Sequence, residues 1–257
     1  MIRYIIVLIL IFSFTGSFGQ NGSSNSIGTR LGIVKSIYYD ETLNYKIYHK
    51  TGVNPYHLRF RRIADKNSYI IDFCYIGATL GPMIRENRVL SDEITLRTGI
   101  LDFACFRKLF DPAEKLDIKA GIHLKANGFN AERNFRKAYP AIGTTTQSTY
   151  EITFFSVNPC SEISYAIFGS TELNLIVSLP VLAVNSKNYN SRISPFNNVW
   201  LVSFGKYSGF SSDLSLLKRF NRFSFEIFQS VYFAKYKNPN NKKLMISTTG
   251  IGLYYEF

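Results

Sequence analysis

The chain closes on "GIGLYYEF", Gly250–Phe257. Apolar side chains fall at every second position, Ile251, Leu253, Tyr255 and Phe257, with Gly252, Tyr254 and Glu256 between them. A period of two sets the first group on one face of an extended strand and the second on the other. Chain ends usually fray and carry polar residues. An end that alternates to its last residue and stops on Phe reads as a strand held in a sheet.

Outward from that stretch the same alternation recurs. Strands are predicted over Arg30–Tyr39, His57–Ala64, Tyr69–Gly77, Ile94–Phe106, Leu116–Ala126, Tyr150–Phe168, Leu173–Ala183, Asp213–Phe220, Phe223–Tyr236 and Leu244–Phe257. Leu116, Ile118, Ala120, Ile122, Leu124 and Ala126 share one face, and Asp117, Lys119, Gly121, His123 and Lys125 the other. Leu173, Leu175, Val177, Leu179, Val181 and Ala183 form another apolar row. In Ile94–Phe106 the phase slips at Gly99, which predicts a β-bulge. No stretch keeps helical spacing over three turns. Of the 257 residues, 46 % are hydrophobic and 16 % aromatic, almost all Phe and Tyr, which suits sheet.

The connections come in two kinds that alternate. Asp65–Ser68, Lys108–Lys115, Gly169–Glu172 and the turn at Asn221 are short; Asp40–Pro55, Leu80–Asp92, Gly128–Thr149, Asn185–Gly209 and Lys237–Lys243 are longer. Transmembrane β-barrels have short periplasmic turns and long extracellular loops. The expectation is an all-β fold: a closed antiparallel up-and-down barrel of about ten strands, within about eight to twelve, with both termini periplasmic. Val199–Tyr207 is a candidate extra strand.

A soluble barrel would show the same alternation, so the polar face has to discriminate. It carries Arg30, His57, Arg59, Arg61, Asp72, Arg97, Asp102, Asp117, Lys119, His123, Lys125, Glu151, Glu162 and Glu226. Both signs are present, so these residues can pair inside a lumen. Several strands also have the roughly ten residues that a tilted strand needs to cross hydrocarbon. Tyr38, Tyr39, Tyr232, Tyr236, Tyr254 and Tyr255 stand near strand ends, as interfacial girdles do.

Residues 1–19 read as a secretory signal peptide: Arg3, an apolar run over Tyr4–Phe14, then small residues before Gln20. The run is too short for a transmembrane helix. The barrel domain then spans 20–257. With the closing strand, these features resemble Gram-negative outer-membrane β-barrel proteins, whose last strand alternates and ends in Phe. The resemblance implies a cell outer-membrane location. It also implies that Ile251, Leu253, Tyr255 and Phe257 are the signal read by the barrel-assembly machinery. It carries no catalytic or ligand motif.

Net charge is +12, which suits an anionic partner. Basic residues interleave with aromatics in two expected loops: Arg133, Arg136 and Lys137 in one, Lys187, Arg192 and Trp200 in the other. This pattern suits phosphate and sugar contacts, with outer-membrane lipid and lipopolysaccharide as expected partners. Nucleic acid offers the same chemistry but not the same compartment. The first functional expectation is therefore a structural or surface-binding barrel. A lipid-modifying hydrolase of the Ser/His type is the alternative, with His57 and His123 as candidate bases; neither has a Ser two positions away on its strand, and His49, with Thr51 two positions on, falls in an expected loop. A narrow porin or an accessory of a transport or secretion complex is the third reading. Cys74, Cys105 and Cys160 are odd in number and widely spaced, so no disulfide framework, metal site or cofactor is expected.

Overall fold

The structure is a computed structural model. It describes residues 24–40, 44–54, 56–64, 66–82, 93–113, 115–134, 146–188, 199–203, 207–236 and 242–257. Thirteen strand segments follow one another: β1 (Ser24–Asp40), β2 (Asn44–Asn54), β3 (Tyr56–Ala64), β4 (Asn67–Pro82), β5 (Glu93–Ala113), β6 (Leu116–Asn134), β7 (Thr146–Phe168), β8 (Thr171–Ser178), β9 (Leu182–Asn188), β10 (Val199–Ser203), β11 (Tyr207–Phe220), β12 (Phe223–Tyr236) and β13 (Lys242–Glu256). Three pairs of segments are the two halves of one stave: β3 with β2, β8 with β9, and β11 with β10. That makes ten antiparallel staves, each paired to its neighbours in sequence. The last closes on the first, from Ser26 opposite Glu256 to Asp40 opposite Lys242. No sheet edge is left for lipid to meet. Val199–Tyr207 is accordingly no extra strand: it falls at the joint of β10 and β11, within one stave.

Register fixes the geometry of the cylinder. The path from Ser36 runs through Ile246, Tyr232, Ser211, Ser178, Cys160, Gly121, Phe106, Ser68 and Ile63, and returns to β1 at Ser24. The shear is thus twelve residues over ten staves. With about 3.3 Å per residue and 4.8 Å between strands, the staves tilt by about 40° and the cylinder is about 20 Å across.

Alternation sorts side chains between wall and lumen as expected. Leu31, Ile33, Leu58, Phe73, Leu101, Phe103, Ile122, Leu214, Ile227 and Ile251 are exposed on the outer wall. Arg30, Arg59, Lys119, Glu162 and Glu226 are buried inside. On β5 two exposed arginines, Arg97 and Arg107, stand ten residues apart on the outer wall and bracket Leu101 and Phe103. At that tilt they are about 25 Å apart along the axis, the height of the apolar band of a transmembrane barrel. Each can reach its own interface.

The periplasmic turns are short because the chain supplies the conformations they need. Asn221 (φ 54°) turns β11 into β12, and Gly169 (φ 58°) turns β7 into β8; both occupy the left-handed region that Asn and Gly tolerate best. At the rim, Phe257 stacks on Tyr255 and Tyr255 meets Phe223 edge-on.

Several expectations need correction. Asp40–Pro55 is not a loop: β2 runs from Asn44 and pairs with the outer part of β1. Arg133, Lys187 and Trp200 likewise lie on strands that continue beyond the lipid band. The stretches around Arg133 and Lys187 are polar, as strands past the lipid band need no apolar wall. No register shift occurs at Gly99, which sits opposite Tyr75 and Gly128; the irregularities of β5 fall between Lys108 and Ala113. The apparent slip arises because Ile100, Ala104 and Phe106 are apolar and face the lumen. For the same reason Arg97 is on the wall, not inside. Ala183 is inside, not on the wall, because the stave breaks at Pro180 between β8 and β9. Tyr38 and Tyr254 are buried in the lumen and do not join a girdle.

Candidate functional site in the barrel lumen

The lumen is filled in layers, and each layer follows from which residues the alternation turns inward. Along β3 the inward series is Arg61, Arg59, His57; along β1 it is Arg30, Val34, Ser36, Tyr38.

Above the Arg219–Glu172 pair at the periplasmic rim, Glu162 is fully buried. It accepts hydrogen bonds from Arg61 Nη2 at 2.5 Å, Lys119 Nζ at 3.1 Å and Ser68 Oγ at 2.9 Å. Above it Arg30 is the hub. Its Nη1 and Nη2 donate to Asp213 at 2.5 and 3.0 Å, while Nη2 and Nε donate to Glu226 at 2.6 and 2.7 Å. Tyr254 donates its hydroxyl to Glu226 Oε2 at 2.6 Å and accepts from Arg30 Nε at 2.9 Å. Arg59 Nη2 bridges Asp213 and Asp72 at 2.9 and 2.5 Å. Phe228 lies under the Arg30 guanidinium, 4.2 Å from carbon to ring centre. Charges taken out of water are tolerated only when every lone pair and proton finds a partner. A forked guanidinium with two carboxylates meets that demand. Gly28 and Gly252 make the room. A Cβ on Gly252 would come within 2.7 Å of Glu226, and one on Gly28 would run into the Tyr254 ring.

The two histidines sit one layer higher. His57 Nε2 is 2.5 Å from Asp72 Oδ1, and its ring meets Phe228 edge-on. His123 Nε2 is 3.4 Å from Asp102, which also pairs with Lys125 at 3.4 Å. His123 Nδ1 is 3.2 Å from Ser178 Oγ, and Ser178 is 2.6 Å from Ser211 Oγ. So a Ser does lie within reach of His123, brought from β8 rather than from its own strand. His57, Asp72, Asp102, His123, Lys125 and Ser211 line a cavity of about 110 Å³. Within it the Oδ1 atom of Asp102 has no protein partner, and Asn158 Oδ1 nearby has none either.

Higher in the lumen, the side formed by β13, β1, β4 and β5 is apolar. Val34, Tyr38, Ile76, Leu80, Ile100, Leu244 and Ile246 form one buried cluster, with Leu80 and Tyr38 at 0 and 1 % exposure. Asn127 Nδ2 donates to Tyr232 OH at 2.6 Å, and Lys125 lies 4.7 Å from the centre of that ring. The charged layers and the apolar cluster thus lie in series along the axis, with the small cavity between them.

Arg30 and Glu162 stood on the predicted polar face and Tyr254 among the expected girdle residues, but Asp213, Phe228 and Ser178 were not singled out. Arg133 lies opposite Ile94 and Gln147, Lys187 opposite Glu151, and Trp200 opposite Asn185. Arg136, Lys137 and Arg192 lie outside the described residues. Among the described residues no group of three or more His, Cys, Asp or Glu is arranged to hold a metal ion. The three cysteines are free thiols.

No family model matches the chain, and no curated protein matches it by sequence. Solved structures do. The outer-membrane protease OmpT of Escherichia coli is 12 % identical, with a TM-score of 0.52 over 94 % of this chain and 98 % of that one. Ail of Yersinia pestis is 12 % identical at 0.40, over 93 % and 100 %. The translocator domain of the autotransporter NalP of Neisseria meningitidis is 6 % identical at 0.43, over 97 % and 95 %. At such identities the likeness is one of fold. With its lipid-facing wall and its closed meander, the chain is an outer-membrane β-barrel in fold.

Proposed function

We propose that the protein is a structural or surface-binding barrel of the outer membrane. The cylinder is an anchor, and the work is done by what it holds above the lipid. The observation that carries this reading is the contrast between lumen and strands. The lumen is filled at two levels, by the buried Arg30–Glu162 layers and by the buried Tyr38–Leu80 cluster. Yet β5 and β6 stay paired out to Glu93 and Asn134, beyond Arg97, and β6 and β7 continue with them. Arg133, Lys187 and Trp200 belong to that extension, and Arg136, Lys137 and Arg192 accompany them in sequence. Their cationic and aromatic chemistry suits the phosphates and sugars of lipopolysaccharide. Ile251, Leu253, Tyr255 and Phe257 would serve the barrel-assembly machinery.

Two measurements test this. The full chain in planar bilayers should give no conductance steps, and it should retain lipopolysaccharide in a pull-down. Changing Arg133, Arg136, Lys137, Lys187 and Arg192 to Gln should weaken retention at least tenfold. Stable conductance, or undiminished retention, would overturn the reading.

A second reading rests on Ser178, His123 and Asp102, which have the order of a nucleophile, a base and an orienting carboxylate. Ser178 is 2 % exposed, so a substrate would have to enter the lumen to reach it. Labelling of the folded protein by a fluorophosphonate, abolished by Ser178→Ala, would establish a hydrolase; absence of labelling removes it.

A further inference from the structure

The outer wall has one feature that lipid alone does not explain. On β12 the outward series is Phe223, Phe225, Ile227, Gln229, Val231, Phe233 and Lys235. Gln229 lies six residues from Phe223 at the periplasmic turn and six from Lys235 at the outer end. At the tilt of these staves that is about 15 Å from each, the middle of the lipid band. On β13 the outward residue Thr249 is six residues from both Tyr255 and Lys243, and it stands directly opposite Gln229. Both are exposed.

An amide at that depth has two donors and an acceptor that hydrocarbon cannot satisfy. No hydrogen bond to the Gln229 side chain forms among the described residues. Ser161 shows the usual solution for a small polar residue on this wall: its hydroxyl turns back to the Lys119 carbonyl at 3.1 Å. Leu214 and Ile227 are exposed beside Gln229, and Ile33 and Ile251 beside Thr249, with Ser212 and Ser247 one step toward the extracellular side. These are short side chains that allow two such walls to approach.

We propose that this face, centred on Gln229 and Thr249 of β12 and β13, is the contact between two copies of the barrel in the membrane. A carboxamide is its own complement, because its N–H donates to the carbonyl of an identical group and its carbonyl accepts in return. A two-fold axis parallel to the cylinder brings each Gln229 against its mate, since such an axis sets one patch against itself. A second copy therefore satisfies the group with nothing further required. Thr249, beside it, supplies a second polar contact.

Sedimentation of the full chain in a density-matched detergent tests this. A concentration-dependent monomer–dimer equilibrium is expected, and Gln229→Leu should raise its dissociation constant at least tenfold. Leu is at home in lipid, so the variant keeps its barrel, which heat-modifiable gel migration verifies. Leu101→Ala on the far wall is the control and should leave the equilibrium unchanged. A wild-type chain that stays monomeric throughout, or a Gln229→Leu variant that dimerises as well as wild type, overturns the proposal. So does an equal loss in Gln229→Leu and the control.

Discussion

Arg30 and Asp213 are 183 residues apart in sequence and stand on β1 and β11, three staves apart, yet their side chains meet in a two-pronged pair of 2.5 and 3.0 Å. The barrel is what joins them. Each projects inward because its strand neighbours project into lipid, and a cylinder about 20 Å across leaves no distance that long side chains cannot span. The Arg30 layer is thus a consequence of closure, and it reinforces closure by tying β1 to β11 and β12 through the interior.

Arg30→Met should accordingly be costly. It strands Glu226 and one side of Asp213 in a dry interior, where loss of one partner costs about 3–5 kcal/mol. Arg30→Lys should recover only part of this, because an ammonium cannot fork to two carboxylates. Urea unfolding in lipid vesicles, followed by gel migration, reads both. A loss below about 1 kcal/mol would mean that water already solvates the carboxylates, and that the lumen is not sealed at this level.

The wall makes a separate prediction. Leu101 is 46 % exposed and lies between Arg97 and Arg107. Leu101→Arg should destabilise the barrel by about 2–4 kcal/mol, the range for a cation near the middle of the bilayer. Thr79→Arg, on the exposed wall in register with Thr95 and outside the lipid band, should cost about 0–1 kcal/mol. The same vesicle unfolding measurement compares them. Equal costs would contradict the depth assigned to the band.

The Phe220–Phe223 turn supplies a local test. Asn221 holds φ at 54°. Asn221→Gly should be near neutral, whereas Asn221→Val should cost about 1–2 kcal/mol, because a β-branched chain resists the left-handed region. Hairpin stability in the full barrel reads this directly. A neutral Val variant would show that the turn adopts another geometry.

Much of this architecture was legible from alternation alone. The ten staves, their order and the inward placing of Arg30, Arg59, Lys119, Glu162 and Glu226 follow from a period of two, because one wall of each strand must match hydrocarbon. Alternation failed where the lumen itself is apolar. Arg97 read as a lumen residue and Gly99 as a phase slip, and only the burial of Ile100, Ala104 and Phe106 on one continuous inner face reverses the assignment. The Ser178–His123 contact escaped for a different reason. A same-strand search sees positions two apart, whereas β8 reaches His123 on β6 across the intervening β7. Tyr254 was legible in principle: it falls between Leu253 and Tyr255, so the period already turned it inward to meet Arg30. The extracellular extension was not legible, since a strand past the lipid band needs no apolar wall and has the composition of a loop.

Phe257 offers the last test, because fold and assembly make different demands on it. Its backbone pairs with Asn25 in both directions, at 2.9 and 3.1 Å, and its ring is half exposed against Tyr255. Phe257→Ala keeps the backbone pair and loses only rim packing, so spontaneous refolding into vesicles and resistance to urea should change by less than about 1 kcal/mol. If the closing strand is also read by the assembly machinery, the amount of folded barrel in the outer membrane of cells should fall several-fold with the same substitution. Equal losses in vesicles and in cells would make Phe257 a structural residue only. No loss in either would mean that alternation at Ile251, Leu253 and Tyr255 carries the signal without it.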